Sequence, residues 1–221
     1  MKRAAAEAAL RHLPEAGTIG LGTGSTAKIF IDLVGELVKG GRKLVGVPTS
    51  KASRAQAEAL GIPQLSDDGP FEVDVCVDGA DEVSDALDLV KGGGGALLRE
   101  KVVNFASKKN LIIVDATKLS AKLGTTWAVP VEVVRFGHAA TASALAKLGA
   151  PTLRRRDGAP FVTDQGGYIY DVKTGPIADP AALERALDAI PGVVESGLFV
   201  GRADVVIVAS PEGARELART R

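Results

Sequence analysis

The sequence holds one cysteine, Cys76, so no disulfide can form within the chain. Its only histidines are His12 and His138, and no Cys/His spacing suggests a metal site. Aromatic residues make up only 4%, which leaves the core to Ala, Val, Leu and Ile, as in many α/β proteins. Net charge is missing as well. The 27 Lys plus Arg are matched by 27 Asp plus Glu, a balance that gives no support for a nucleic-acid or anionic-membrane partner. No apolar run approaches the roughly 20 residues of a membrane-crossing helix. The N-terminal MKRAAAEAALRHL lacks the hydrophobic segment and cleavage site of a signal peptide. The expectation is a soluble, cytoplasmic protein. Its 221 residues suffice for one large domain or for a main domain carrying a smaller one.

What the chain does have is a repeated strand, turn and helix. Residues 2–13 read as a short amphipathic helix ended by Pro14. Residues 18–21 form an apolar strand that runs into Gly22-Thr23-Gly24-Ser25-Thr26, and 27–39 have helical periodicity. The unit recurs as strand 43–47, loop Pro48-Thr49-Ser50-Lys51 and helix 52–60. A third strand, 73–77, delivers Asp78 and contains Cys76 as a core residue; helix 96–107 and a fourth strand, 111–114, follow. Such alternation implies a parallel sheet covered on both faces, with ligands beyond the carboxyl ends of its strands. Those ends carry GTGST, PTSK, DGAD and DATK. From about Thr126 the expected order becomes strand 129–134, helix 138–148, strands 152–156 and 161–172, helix 180–190 and strand 193–200, a ferredoxin-like β-α-β-β-α-β subdomain. Residues 203–209 suit the buried parallel sheet again, and 211–221 read as a terminal helix. The expected division is therefore 1–126 plus 201–221 as a Rossmann-like main domain and 127–200 as an inserted α+β subdomain.

The chemistry gathers at the strand ends. Gly22-Thr23-Gly24-Ser25-Thr26-Ala27 matches G-x-G-x-x-A, yet the second strand ends in Pro48-Thr49-Ser50, with no acid to hold a dinucleotide ribose. Anion binding survives that objection, because glycines let the backbone approach, helix amides point outward, and Ser25 and Thr26 add hydroxyls. A phosphate monoester suits this loop; the plainer alternative makes Ser25 or Thr26 a helix cap. Asp78 and Asp81, three residues apart around Gly79, are placed to grip sugar hydroxyls or shuttle protons, or else to form a solvated turn. Lys91 before Gly92, Gly93, Gly94 and Gly95 offers an ammonium beside an amide-lined concavity for an oxyanion. Glu100, with Leu97 and Val103 three residues to either side, borders the apolar helix face, where partial desolvation makes a better base; Arg99 and Lys101 are expected to look outward. Lys118 stands at the same edge, suited to an anion or hydroxyl. Arg154-Arg155-Arg156 before Asp157-Gly158 reads as a solvated hairpin.

GTGSTA, VDVCVDGADE, KGGGGALLREK and DATK, in this order and at these spacings, resemble ribose-5-phosphate isomerase of the A type over essentially the whole chain. The resemblance implies aldose–ketose isomerisation of D-ribose 5-phosphate and D-ribulose 5-phosphate through a cis-enediolate, with no metal and no cofactor. It makes Glu100 the base between C2 and C1 and gives Asp81, with Asp78, ring opening and proton exchange at the sugar oxygens. Lys91 and the amides of Gly92, Gly93 and Gly94 stabilise the enediolate. Thr23, Gly24, Ser25, Thr26, Gly79, Ala80 and Lys118 complete the substrate site, with the phosphate nearest Ser25 and Thr26. Lys2 stands where the match is too loose to assign it. The resemblance further implies a lid in the inserted subdomain and a homodimer or dimer of dimers. A sugar-phosphate sensing module would carry a helix-turn-helix segment, a CoA transferase its own glutamate motif, and an amino-sugar phosphate deaminase a catalytic histidine near the motifs. None of these is visible.

Overall fold

Strand, glycine turn and helix recur through the chain because apolar β-branched runs end at glycines or capping residues each time. The computed structural model describes residues 1–219. In chain order its elements are α1 (Lys2–Ala9), β1 (Ala16–Leu21), α2 (Ser25–Lys39), β2 (Lys43–Pro48), α3 (Lys51–Ala59), β3 (Val75–Asp78), β4 (Glu82–Ser84) and β5 (Leu89–Val90). There follow α4 (Leu97–Phe105), β6 (Asn110–Asp115), β7 (Leu119–Ser120), β8 (Val129–Val133), α5 (His138–Leu145), β9 (Ala150–Leu153), β10 (Arg155–Arg156) and β11 (Ala159–Pro160). The last are β12 (Tyr168–Lys173), α6 (Pro180–Asp188), β13 (Val193–Ser196), β14 (Leu198–Phe199), β15 (Val205–Ser210) and β16 (Gly213–Ala218). By internal packing the chain divides into two units, Met1–Ala80 with Arg99–Lys118 and Arg202–Arg221, and Asp81–Leu98 with Leu119–Gly201. Residues 81–98 and 119–126 thus pack with 127–200.

The first unit is built on a sheet of order β16-β15-β6-β3-β1-β2. Its pairings are parallel from β2 to β15 and antiparallel only between β15 and β16. Alternate side chains serve the two faces. Val75, Val77, Leu111, Ile113 and Ile207 join Ala5, Ala6, Phe30 and Ile31 in one core, whereas Cys76 packs with Val47 and Val103 on the other side. Ala5, Ala6, Ala8 and Ala9 of α1 are buried, which lets that helix lie close to the sheet. Ser50 caps α3 by accepting from Ser53 N–H. From β1 the chain goes to β2 on one side and then returns to β3 on the other, so the strand order reverses between β1 and β3, where open α/β sheets bind ligands.

The expected terminal helix is a strand instead: β16 pairs with β15 from Val205↔Ala218 to Ser210↔Gly213. Residues 211–219 contain good helix formers, but Gly213 at φ 135° belongs to the reversal, and the open edge of β15 outweighs local propensity. Residues 220 and 221 of that expected helix lie outside the described residues.

The second unit holds a sheet of order β13-β8-β12-β9, antiparallel throughout. With α5 after β8 and α6 after β12 it is the ferredoxin-like β-α-β-β-α-β arrangement. Asp179 caps α6 by accepting from Ala182 N–H, with Pro180 at the first turn. The strand expected over 161–172 begins only at Tyr168, because Gly166 at φ 87° and a bond from Gly167 N–H to Thr163 Oγ1 make a turn first. The strand expected over 193–200 breaks at Gly197, where a Cβ would come within 2.3 Å of the Lys91 carbonyl oxygen. A second small sheet, β14-β5-β4-β7, carries the segment leading to Lys91. Glu82, fully buried, fixes the following loop by accepting from Gly124 N–H at 2.7 Å and from Thr126 N–H and Oγ1 at 3.0 Å each.

Leu111, fully buried on the strand between β3 and β15, is the place to test the first core. Leu111→Ala should cost about 2–5 kcal/mol, read as a lowered urea midpoint.

Candidate active site

Each unit presents one group of the residues singled out above. In the first unit, the loop after β1 is locked to the end of β3. Gly22 N–H donates to the Val77 carbonyl at 3.0 Å. The Asp78 carboxylate accepts through one oxygen from Thr23 N–H at 2.9 Å and from Gly79 N–H at 2.7 Å. Glycine is required at position 22, since a Cβ there would stand 2.6 Å from the Asp78 Cα. The Thr23 hydroxyl lies 2.8 Å from that of Thr49 and 3.3 Å from that of Ser53, and Ser53 Oγ donates to the Gly22 carbonyl at 2.6 Å. A pocket of about 390 Å³ opens along this loop, lined by Thr23, Gly24 and Ser25 together with Ser53 and Gln56.

Neither Ser25 nor Thr26 caps α2. The capping residue is Gly24, at φ 112° and without a side-chain bond, so the first-turn amides face outward unshielded. Exposed Ser25 Oγ instead accepts from Lys2 Nζ at 2.8 Å. Lys118 follows β6 in a single 3-10 turn headed by Asp115. The Asp115 carboxyl is held below its ordinary value by hydrogen bonds from the Thr117 hydroxyl and amide, against some desolvation, and further by the charges of Lys118 and Lys2. Ser25, Lys2, Lys118 and Asp115 therefore share one cationic edge of this unit. Glu100 sits in the first turn of α4 and is 4% exposed, with Leu97 and Val103 buried on either side. Arg99 and Lys101 do not look outward as expected: Lys101 is buried, and Arg99 donates to Asp67 at 2.8 Å. The solvated positions of this helix are the apolar Val102 and Phe105.

In the second unit, Asp81 and the glycine run are joined. Gly93 N–H donates to the Asp81 carboxylate at 2.6 Å, and Asp81 N–H donates to the Val90 carbonyl at 2.8 Å. Gly92 and Gly95 adopt φ 101° and 87°, which side chains resist. Lys91 is 2% exposed, its ammonium 5.5 Å from the centre of the Phe199 ring, and its N–H donates to the Gly197 carbonyl. The arginine run splits. Arg155 and Arg156 are exposed in the β10–β11 hairpin, whereas Arg154 forks onto Asp171 through Nε at 2.9 Å and through Nη2, and gives Nη1 to the Gly92 and Gly93 carbonyls at 2.8 and 3.3 Å.

The sequence alone left Lys2 unassigned and did not single out Arg154 or the hydroxyl pair Thr49 and Ser53, which the structure brings to these two groups. For the hydroxyls a signal existed, since PTSKAS places them at the end of β2 beside the glycine loop. For Arg154 the only hint was a cation at the head of a hairpin.

Fold and loop together define a Rossmann-like α/β protein whose glycine loop and uncapped helix start open at the point where its strand order reverses. The family model for ribose 5-phosphate isomerase A (phosphoriboisomerase A) matches residues 45–213. A ribose-5-phosphate isomerase A of Rhodopseudomonas palustris (strain BisB18) is 48% identical over 227 residues, covering 99% of this chain and 97% of the relative. That of Gloeobacter violaceus is 51% identical over 219 residues, covering 98% and 95%. The solved ribose 5-phosphate isomerase from Plasmodium falciparum superposes with a TM-score of 0.94 at 35% identity, covering 100% of this chain and 98% of that one. A D-ribose-5-phosphate isomerase solved in complex with phospho-erythronic acid gives 0.93 at 39%, covering 99% and 97%. The chain belongs to the ribose 5-phosphate isomerase A family, whose members interconvert D-ribose 5-phosphate and D-ribulose 5-phosphate.

Two outcomes follow from the loop geometry. Asp78→Ala strands two amides, so hydrogen exchange at Thr23 and Gly79 should accelerate by roughly 10- to 100-fold, while strand amides such as Ile19 stay protected; unchanged rates at both would contradict the anchoring role. Asp115 has a folded-state pKa depressed below its unfolded value, so its contribution is present at neutral pH and is lost as pH falls through the folded value. Asp115→Asn should therefore lower the urea midpoint at pH 7, and the deficit should shrink as the pH is lowered through the acid range.

Proposed function

We propose that this chain isomerises D-ribose 5-phosphate to D-ribulose 5-phosphate through a cis-enediolate, with Glu100 as the base. The carboxylate removes the proton from C2 of the open-chain aldose, leaving an enediolate whose charge rests on the oxygens of C1 and C2. The same group then returns a proton to C1, and the C2 oxygen becomes the ketone. Lys91 and the amides of the Gly92 to Gly94 run hold the enediolate oxygens, while Asp81, with Asp78, opens the ring and exchanges protons at the sugar hydroxyls. Ser25, Thr26 and the first-turn amides of α2 take the phosphate, joined by Thr23, Gly24 and Lys118; Gly79 and Ala80 line the sugar. Lys2, bonded to Ser25 Oγ, adds a cation for the same phosphate.

The observation that carries this reading is the burial of Glu100 at 4% exposure, in the first turn of the helix directly after the glycine run. A carboxylate removed from water at a helix N-terminus is fixed in position and poised to take a proton from carbon. We assign catalysis to residues 1–126 with 201–221, and the roles of lid and subunit contact to 127–200. A cytoplasmic homodimer or dimer of dimers accompanies this reading. The subunit contact is supported by apolar side chains left in solvent within 127–200, Phe136 at 95% and Val134 at 43% exposure.

The test is turnover of ribose 5-phosphate by chelator-treated protein beside a Glu100→Gln variant. The wild type should turn over, and the variant should lose on the order of 10²- to 10⁴-fold in kcat with KM little changed. A variant that keeps its rate removes Glu100 as the base and moves that role to Asp81.

A further inference from the structure

The four-glycine run is the most permissive stretch of backbone in the chain, yet two of its peptide planes are held by one side chain. Arg154 Nη1 donates to the carbonyls of Gly92 and Gly93. The chain holds no cis peptide bonds among the described residues, and in a trans peptide the N–H points opposite to the C=O. Holding the Gly92 carbonyl therefore turns the Gly93 N–H away from the guanidinium, toward the Asp81 carboxylate that accepts it at 2.6 Å. Holding the Gly93 carbonyl turns the Gly94 N–H outward in the same way. A cation at the carbonyl end also polarises each amide and strengthens it as a donor.

The arginine is itself immobilised. Its backbone N–H donates to the Ile169 carbonyl and its own carbonyl accepts from Phe161 N–H, at 2.8 and 2.9 Å. Asp171 on β12 receives Nε and Nη2, the bidentate geometry that a guanidinium forms and an ammonium cannot. Phe161, from the same hairpin, lies against Gly95 so closely that a Cβ there would meet its ring at 2.4 Å. With a carboxylate taking two of its donor nitrogens, Arg154 brings direction to the loop more than net charge.

We propose that Arg154, oriented by Asp171, is a positioning residue for the isomerisation: it aims the Gly93 and Gly94 amides and, through Gly93, the carboxylate of Asp81. This rests on the reading in which Lys91 and the glycine amides receive the enediolate. Arg154→Met keeps bulk and removes all donors; Arg154→Lys restores charge and one donor group. Arg154→Met should lower kcat on the order of 10²-fold, as removal of an oxyanion-hole donor does, with KM for ribose 5-phosphate shifting less than about threefold. It should weaken inhibition by phospho-erythronic acid, whose planar carboxylate presents two oxygens as a cis-enediolate does, by a comparable factor. Inhibition by inorganic phosphate should stay unchanged, and Arg154→Lys should recover part of the lost kcat. Unchanged kcat in folded Arg154→Met overturns the proposal, and so does equal weakening of both inhibitors together with a lowered melting temperature. If Arg154→Met does not fold, Asp171→Asn is expected to show a smaller kcat loss with the same split between inhibitors, and wild-type behaviour there overturns the proposal equally. Lys91→Met in the same assay separates the two levels. A Lys91→Met protein with wild-type rate removes the oxyanion site itself, whereas a slow one beside a normal Arg154→Met removes only the clamp.

Discussion

A single buried carboxylate fixes the strand-end geometry of the first unit. Asp78, 3% exposed at the end of β3, faces a desolvation cost of several kcal/mol, which is offset only if donors converge on it. Two do, Thr23 N–H from the loop after β1 and its own neighbour Gly79 N–H. That requirement ties the ends of two adjacent parallel strands together at the point where the strand order reverses. The glycine at 22, the hydroxyls of Thr49 and Ser53, and the uncapped start of α2 then follow as conditions for bringing backbone close to that carboxylate.

Directional support takes a different form in the second unit. There the backbone of the glycine run is itself what has to be placed, and glycine provides freedom at the cost of order. The ordering comes from outside the run, from Arg154 at its carbonyls, Asp81 at one of its amides and Phe161 against Gly95. A carboxylate and a guanidinium on opposite edges of the same peptide plane hold it from both ends, each reinforcing the dipole that the other uses.

Much of this was legible in the sequence, because apolar periodicity and strand-end chemistry are local signals. GTGST, DGA and DATK do sit at the carboxyl edge of one parallel sheet, and the β-α-β-β-α-β order emerges as an antiparallel sheet. Most helix and strand ends shifted by a residue or two, as fraying elements do, with the late start of β12 at Tyr168 the largest difference. What was not legible depended on long-range partners. Residues 211–219 have helical composition and became a strand because β15 offered an open edge. Lys101 was expected in solvent and is buried, while Phe105, an apolar neighbour on the same helix, is exposed. Arg154 looked like one cation in a solvated run, since nothing local announces that Asp171 and the Gly92 carbonyl lie within its reach.

The division of the chain also sets an order of events during synthesis. The polypeptide passes from one unit to the other between residues 80 and 81, 98 and 99, 118 and 119, and 201 and 202. All parts of the second unit have left the ribosome once Gly201 has emerged, whereas the first still lacks β15, the strand that covers the outer edge of β6. The unit that starts the chain is therefore the one that closes last. Until residues 205–210 arrive, β6 presents an unpaired apolar edge, the feature most prone to pairing with another nascent chain.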